Sequence, residues 1–518
     1  METRCGRSKT PEQAGEAAPP RGASPFRPPD LGERTWFPVN PTEWLGAFLT
    51  CVLVLLAACA VGPNYVRPTT VETPAAYKEI QGWKRAEPKD DVIRGAWWEI
   101  FADPELSALE DRIEASNQTL ATAEAQFREA RALVGVARSA FFPTATVGVG
   151  VTRSLSSSTF SPGVFTPQGT NMSYSLPLDI AWTLDVFGAV RRGVEANVAN
   201  AQASAAAAAF SRLTLETELA VDYFQLRALD SQEQLLKDTV VGYQKSLELT
   251  QNRYNAGVAA RTDVATAETQ LKTTEAQAID VGVQRAQLEH AIAVLVGETP
   301  SSFSLAPAPL DPHMTPPPVP VGIPSELLER RPDIAQAERS VASANAEIGV
   351  AIAAYFPTLT LSATGGLETG DSSRWFDIAE SRFWSIGPTL TETVFDGGLR
   401  GAKTDQARAT YDATVASYRE TVLTGFQQVE DNLAALRILQ SEAEVEADAV
   451  KEAEISTALT LNQYKAGTVN YIDVVTVQAI ELSDKITAVN ILGRRMSSCV
   501  QLVIALGGGW NAADLPSL

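Results

Sequence analysis

Ser173-Tyr174-Ser175-Leu176-Pro177-Leu178-Asp179-Ile180-Ala181-Trp182-Thr183-Leu184-Asp185-Val186-Phe187 is the stretch on which the fold turns. Its even positions are Tyr, Leu, Leu, Ile, Trp, Leu and Val, while its odd positions hold Ser, Thr, Asp, Ala and one Pro before the closing Phe. Strand side chains alternate between two faces, so this reads as a strand that is apolar on one side and polar on the other. It exceeds the ~9–11 residues that a β-strand needs to cross a membrane. Three more segments share the pattern. Ala145, Val147, Val149 and Val151 alternate with Thr144, Thr146, Gly148, Gly150 and Thr152. Leu359, Leu361, Ala363 and Leu367 alternate with Thr358, Thr360, Ser362, Thr364 and Glu368, and Trp384, Ile386 and Leu390 share a face in the fourth. Glu392 falls on that last apolar face and is expected at the polar end of the strand, below any lipid.

Four such strands make a poor sandwich and leave two open edges. Closing a barrel with strands from three copies would give 12, an even number within the usual range. The loops 154–171 and 368–381, rich in Ser, Gly, Thr and Asp, fit outer hairpin loops. Tyr174, Phe383 and Trp384 would then sit in an aromatic girdle at the membrane interface.

The strands belong to a larger repetition. Phe141-Phe142-Pro143-Thr144-Ala145-Thr146-Val147 is matched 214 residues on by Tyr355-Phe356-Pro357-Thr358-Leu359-Thr360-Leu361. Arg253-Tyr254-Asn255-Ala256-Gly257 and Thr262-Asp263-Val264 are matched 210 residues on by Gln463-Tyr464-Lys465-Ala466-Gly467 and Ile472-Asp473-Val474. One strand-and-helix unit is written twice. Its helices are long: from Val190 to Tyr254 there is no proline, and only Gly193 and Gly242 intervene. At 1.5 Å per residue that is on the order of 100 Å. A second long helix is expected from Leu399 to Tyr464, with returning helices over Thr262–Val296 and Ile472–Leu506. Within Thr262–Val296, Val264, Leu271, Ala278 and Ile292 hold one heptad position, and Ala267, Val281, Leu288 and Leu295 hold the other. Thr274 and Arg285 interrupt that seam. This is a coiled-coil pattern with a polar back, suited to the wall of a hollow tube. The Pro-rich stretch Ala306–Pro324 reads as a stiff surface strap between the two units.

Composition narrows the function. The 42 basic and 62 acidic residues give a net charge of −20, which argues against nucleic acid and suits an acidic surface or a cation-favouring pore. His290 and His313 have no ligand-like spacing, and Cys5, Cys51, Cys59 and Cys499 form no metal motif or disulfide framework. No nucleophile–base pair or phosphate loop appears, so no catalytic residue, metal or cofactor is expected. Cys499 lies on an apolar helix pattern and reads as a buried free thiol. One apolar run, Leu45–Val61, ends in small residues as a secretory signal does. It is followed by no segment of 18 uninterrupted apolar residues, so a membrane crossing would have to be made by strands.

Within that run Leu56-Ala57-Ala58-Cys59 resembles a bacterial lipobox. The resemblance implies that 1–58 is a signal peptide with an atypical N-terminal extension, and that Cys59 carries diacylglycerol and an N-acyl chain. Further motifs follow in order: Val61-Gly62-Pro63-Asn64-Tyr65-Val66-Arg67-Pro68, Trp97-Trp98 with Asp103-Pro104-Glu105-Leu106, and Arg330-Arg331-Pro332-Asp333-Ile334. Val394-Phe395-Asp396-Gly397-Gly398 and Ala505-Leu506-Gly507-Gly508-Gly509-Trp510 complete the series. Together they resemble the outer-membrane factors of the TolC/OprM/NodT type, efflux and secretion channels without catalytic activity. The resemblance implies an α+β membrane protein: a homotrimer with a 12-stranded β-barrel, four strands per chain, in the bacterial outer membrane, continuous with a 12-helix α-barrel in the periplasm. It implies a lipid-anchored segment at 59–105, one repeat at 106–299, a linker at 300–324, a second repeat at 325–510 and a tail at 511–518. It further implies a periplasmic adaptor and an inner-membrane transporter as partners, with outer-membrane lipid around the barrel. Ala60, where no Asp stands, favours outer-membrane sorting.

By the same resemblance the turns at Tyr254, Gly257 and Gly467 would form the periplasmic tip and its adaptor contact. Thr262, Asp263, Tyr464 and Asp473 would form a gate, with Tyr464 hydrogen-bonding to Asp263 and a ring of Asp473 favouring cations. Physically, Gly257 and Gly467 also suit left-handed helix C-caps, and Asp263 and Asp473 suit helix N-termini. Val469 and Thr476 depart from gate residues of some family members, which leaves two readings of the closed state: a looser one, or one sealed by apolar groups. Asp179, Asp185 and Glu368 would face the barrel lumen. An efflux exit duct, a duct of a type I protein secretion system, and a lipid-anchored coiled-coil scaffold without a pore all remain readings of this sequence.

Overall fold

The computed structural model describes residues 60–69, 73–74, 76–79, 95–155, 170–319 and 324–518, all within one compact unit, Cys59–Leu518. The apolar N-terminal run, Cys59 and most of the first hairpin loop lie outside the described residues.

The elements come in two matching sets. The first contains α1 (Pro104–Ser116), α2 (Gln118–Ser139), β1 (Thr144–Val147), β2 (Gly150–Leu155), β3 (Thr170–Leu184), α3 (Ala189–Asn255) and α4 (Arg261–Leu295). The second contains α5 (Pro332–Ala353), β4 (Thr358–Thr369), β5 (Arg382–Thr391), α6 (Leu399–Ala466) and α7 (Tyr471–Ala505). The long helices have 67 and 68 residues, the returning helices 35 each, and the helices that lead into the strands 22 each. Each returning helix packs antiparallel on its long partner, and α3 also touches α2, α5 and α7. No helix among the described residues is long and apolar enough to cross a membrane.

The sheet is antiparallel in the order β1-β3-β4-β5, with β2 also on β3. β1 and β2 keep one register, since Val147 faces Leu178 and Gly150 faces Ser175. They are one strand track with a gap at Gly148 and Val149. The gap has a chemical cause. Gly148 N–H donates to the Pro177 carbonyl at 3.0 Å, but Pro177 has no N–H to return the bond. The four expected strands are therefore present as four tracks. The alternation running into Phe187 outlasts the strand, which ends at Leu184.

The main hydrophobic core lies at mid-length on the long helices α3 and α6, where α1 and the C-terminal ends of α4 and α7 meet them. Trp97, Phe224, Leu226, Leu433 and Val500 are among its fully buried members. The Pro-rich stretch is a strap, but it and the residues just before it are sunk into this core through Phe303, Leu305, Leu310 and Val319. A buried ion cluster ties it down. Asp230, whose side chain has no exposed surface, pairs with Arg227 at 3.0 Å and Arg285 at 2.7 Å. Arg227 donates to the Ala306 carbonyl and Arg285 to the Leu305 carbonyl, each at 2.7 Å, and Ala308 N–H donates to Asp230 at 2.9 Å. Arg285 breaks the α4 heptad seam because it serves this cluster. Burial of charge is tolerated here because every member is paired.

The short motifs turn out to be joints. Asp103 caps α1 and accepts from the Tyr223 hydroxyl at 2.7 Å. Trp97 Nε1 donates to Glu216 at 3.0 Å. Arg331 donates to the last carbonyl of α7, Ala505, at 3.0 Å, joining two motifs 174 residues apart in sequence. The segment after residue 60 lies across α3 and α5: Arg192 donates to Val61 O at 3.2 Å and to Asn64 at 2.9 Å. A Cβ on Gly62 would stand 2.5 Å from the Gly349 Cα, so this crossing needs glycine. Cys499 is buried and free, as expected, and burial pushes its thiol up to about 12.

Candidate functional site

Register decides the chemistry of the two sheet faces, because cross-strand partners share a face. One face carries the rows Val147–Leu178–Gly365–Trp384, Ala145–Ile180–Ala363–Ile386 and Leu184–Leu359–Leu390. The other carries Thr146–Asp179–Thr364–Ser385, Ala181–Ser362–Gly387 and Thr183–Thr360–Thr389. The apolar face is uncovered in the single chain: Val147 is 71% exposed and Trp384 77%. An apolar patch of this extent is an interface with lipid or protein.

The expected lumen carboxylates divide. Asp179 lies on the polar face, where Thr364 donates to it at 2.7 Å, and Glu368 lies on the same face, accepting from Ser173 at 3.2 Å. Asp185 is different. It sits one residue beyond β3 and turns onto the start of α3, accepting from the N–H groups of Val190 and Arg191, each at 2.9 Å, and from Arg191 Nε at 3.1 Å. A carboxylate at a helix N-terminus satisfies free N–H groups and the helix dipole, and that geometry takes Asp185 from the lumen position expected of it. Asp396 does the same for α6 through Gly398, Arg400 N–H and Arg400 Nε. Glu392 lies just past β5 and pairs with Arg400 at 3.1 Å, at the helical end as expected. Of the proposed girdle, Tyr174 and Trp384 lie on the apolar face, but Phe383 pairs with Gly366 and falls on the polar one.

At the far end the two helix turns are near copies. Gly257 and Gly467 have φ of +77° and +79°. Gly257 N–H donates to Tyr254 O and Val258 N–H to Arg253 O; Gly467 N–H donates to Tyr464 O and Thr468 N–H to Gln463 O. This paired closure of a helix end needs a left-handed residue, which only glycine adopts cheaply. Tyr254 is 39% exposed at this tip. Asp263 accepts from the Ala260 N–H at 3.3 Å and Asp473 from the Asn470 N–H at 3.1 Å, so both carboxylates sit in the first turns of α4 and α7.

Tyr464 does not reach Asp263 within the chain. Its ring is buried against Tyr471, at 5.3 Å between centroids, and its hydroxyl meets the Thr250 hydroxyl at 3.4 Å. Ala267, Val474 and Val469 complete this apolar cluster. Arg253, which sequence reasoning passed over, holds the two turns together. Its guanidinium lies 4.7 Å over the Tyr464 ring and donates to the carbonyls of Tyr464 at 2.9 Å and Lys465 at 3.2 Å. A signal was present: the repeat has Gln463 at the matching position, so only one copy carries the charge. Thr262 lies on an open groove of about 780 Å³ between α4 and α7, lined by Thr266, Thr269, Gln270, Thr273 and Ser483 among others. Its walls are uncharged, with Val475, Leu482 and Ile486 beside these polar groups, and no group of three or more possible metal ligands occurs among the described residues.

Two stretches, 109–298 and 323–508, match the model of the family described as outer membrane efflux protein. The chain belongs to that family. It is 30% identical over 467 residues to the pyoverdine export outer membrane protein OpmQ of Pseudomonas aeruginosa, covering 90% of this chain and 97% of the relative. It is 28% identical over 471 residues to the toluene efflux pump outer membrane protein TtgF of Pseudomonas putida, covering 88% and 95%. Its fold superposes on the outer-membrane channel OprN with a TM-score of 0.81 at 29% identity, over 87% of this chain and all of the other. Family membership makes this an outer-membrane protein that extends into the periplasm, and a channel instead of an enzyme.

Proposed function

We propose that three copies of this chain close a 12-stranded β-barrel in the outer membrane, continuous with a 12-helix periplasmic tube, and that the tube is the passive exit duct of a tripartite efflux pump. The observation that carries this is the difference between two matching helices. α5 buries 12 of its 22 residues because α3 and α6 flank it and the segment after residue 60 crosses it. α2, of equal length, packs on α3 and buries two, leaving Leu133 and Val136 exposed. A neighbouring copy supplying its own α6 would cover α2, and the same step would pair β5 with the neighbour's β1 and β2, removing both sheet edges. The apolar sheet face then meets lipid, and the polar face with Asp179 and Glu368 lines the lumen.

An inner-membrane transporter supplies the energy and a periplasmic adaptor docks at the tip formed by Tyr254, Gly257 and Gly467. Acylation of Cys59 with diacylglycerol and an N-acyl chain anchors the chain. Thr262, Asp263, Tyr464 and Asp473 surround the constriction, which is sealed in part by the apolar cluster of Tyr464, Tyr471 and Val469. The relatives' functions, pyoverdine export and toluene efflux, favour small-molecule cargo over secreted protein. The test is the mass and conductance of the detergent-extracted protein. Three mature chains per particle, with channels in a lipid bilayer, are expected. A monomer, or a trimer that never conducts, would sink this reading. In the same bilayers Asp473→Asn should lower the cation preference; an unchanged reversal potential would remove Asp473 from the constriction.

A further inference from the structure

Register places two arginines where the sheet should be apolar. Arg153 pairs with Met172, and Arg382 with Leu367, so both side chains lie on the face that carries Val147, Ile180 and Trp384. Both sit at the hairpin end of the strands. Taking the row Leu184–Leu359–Leu390 as the inner limit of the apolar band, Arg382 is eight residues up its strand from Leu390. That is ~27 Å along the strand, or about 20 Å of height at a tilt of ~40°. Met172, opposite Arg153, is twelve residues from Leu184, or roughly 30 Å of height by the same measure. The band of a transmembrane barrel is ~25 Å tall, so the two arginines bracket its outer boundary, the level of lipid headgroups.

Neither arginine has a carboxylate within salt-bridge reach among the described residues; Arg153 contacts only the Thr170 hydroxyl at 3.5 Å. The adjoining loop, 156–169, contains no Asp or Glu in its sequence. Arg374 nearby is neutralised by Glu380 at 2.7 Å. The second hairpin loop, 370–381, leans to the same side. Trp375 packs 5.3 Å from Tyr174, which is on the apolar face, and Phe376 stacks on Trp375 at 5.5 Å. Phe376 and Ile378 stay 72% and 68% exposed. The loop thus folds outward over the lipid side, not inward over the lumen.

We propose that Arg153 and Arg382 form a binding site for the phosphate of an outer-leaflet glycolipid, with Tyr174, Trp375, Phe376 and Ile378 in contact with the upper parts of its acyl chains. Guanidinium groups suit phosphate through paired charge-assisted hydrogen bonds, and amphipathic aromatics suit the interface. The site rests on the barrel reading above and adds to it. Arg153 and Arg382 lie on opposite edges of this chain's sheet, so closure brings Arg382 of one copy beside the neighbour's β1–β2 edge, which carries Arg153. Each of the three seams then holds both arginines and takes one lipid.

The experiment is native mass spectrometry of the purified trimer, titrated with bisphosphorylated lipid A and, separately, with its dephosphorylated form. Up to three bisphosphorylated lipids per trimer are expected, with preference over the dephosphorylated form. Arg153→Gln with Arg382→Gln should weaken binding of that lipid by roughly thirtyfold, the scale for two arginines near anionic lipid. The matching pair of Lys substitutions should fall between the two, keeping the charge but losing the paired hydrogen bonds. Equal retention of both lipid forms by wild type, or unchanged occupancy in the Gln variant, would overturn the site while leaving the barrel standing. Absence of a conducting trimer would instead overturn the barrel reading and the site with it.

Discussion

Arg253 and Gln463 occupy matching positions in the two helix turns, yet only Arg253 reaches across to the other turn. Its bonds go to carbonyls at the C-terminal end of α6, where a cation meets the negative end of the helix dipole. The hydroxyl of Tyr464 has only a 3.4 Å contact with Thr250. Arg253→Ala should therefore raise single-channel conductance and opening frequency more than Tyr464→Phe. Equal effects of the two would show that the ring contact is not what holds the tip. The glycine turns give a second expectation at this scale. A Cβ on Gly467 would come no nearer than 3.7 Å to any neighbour, the end of Arg253. The cost of Gly467→Ala is then the left-handed backbone alone, about 1–2 kcal/mol. Faster hydrogen exchange at Thr468, with exchange in the mid-helix core unchanged, is the expected outcome.

Glu110 joins residue to element. It is 1% exposed on α1, and neither carboxylate oxygen has a hydrogen-bond partner. Burial first, and then the carboxylates of Glu216 and Asp111, push its carboxyl up from 4.5 to about 10. The folded chain keeps this proton at neutral pH, while the unfolded chain releases it. Stability from this group is full below pH 4.5 and is lost as pH rises towards 10, by up to ~3 kcal/mol at pH 7. Thermal unfolding followed from pH 5 to 9 should show wild type losing stability with rising pH and Glu110→Gln losing less; parallel curves would refute the assignment. The strap over the core offers another test. Asp230→Ala leaves Arg227 and Arg285 without their shared buried carboxylate, at a cost of ~3–5 kcal/mol. Limited proteolysis should then cut within residues 300–319, where wild type resists.

For the whole molecule, the incompletely covered helix α2, the two open sheet edges and the bare apolar face all require other material around the chain. In the proposed trimer, further copies answer the first two and lipid the third. That distinction can be measured: in detergent the trimer should persist with its apolar face covered by surfactant, and Leu133→Glu with Val136→Glu on α2 should split it into monomers without altering the helical circular dichroism. Trimers that survive those charges would place α2 outside the subunit contact.

The periodicities were readable directly because they are local. Strand alternation from Tyr174 to Leu184, the proline-free run of α3, the left-handed glycines and the capping carboxylates each depend on a residue and its near neighbours in the chain. The twofold repetition was equally plain, since it compares the chain with itself. What needed the fold was every property set by a partner distant in sequence. Asp185 looked like a lumen residue because it keeps the alternation, but the strand stops at Leu184 and a helix N-terminus claims its carboxylate. Phe383 looked like a girdle residue by position, but pairing with Gly366 puts it on the polar face. Tyr464 was expected on Asp263, yet burial against Tyr471 directs its hydroxyl to Thr250. Arg285 looked like a flaw in a heptad until Asp230, 55 residues away, supplied its partner. Sequence thus determined which segments are helix or strand and which of their sides is apolar, because backbone geometry imposes those periods on each segment alone. Tertiary structure decided which polar side chain meets which, because hydrogen bonds and ion pairs act over about 3 Å and only the folded chain brings such groups that close.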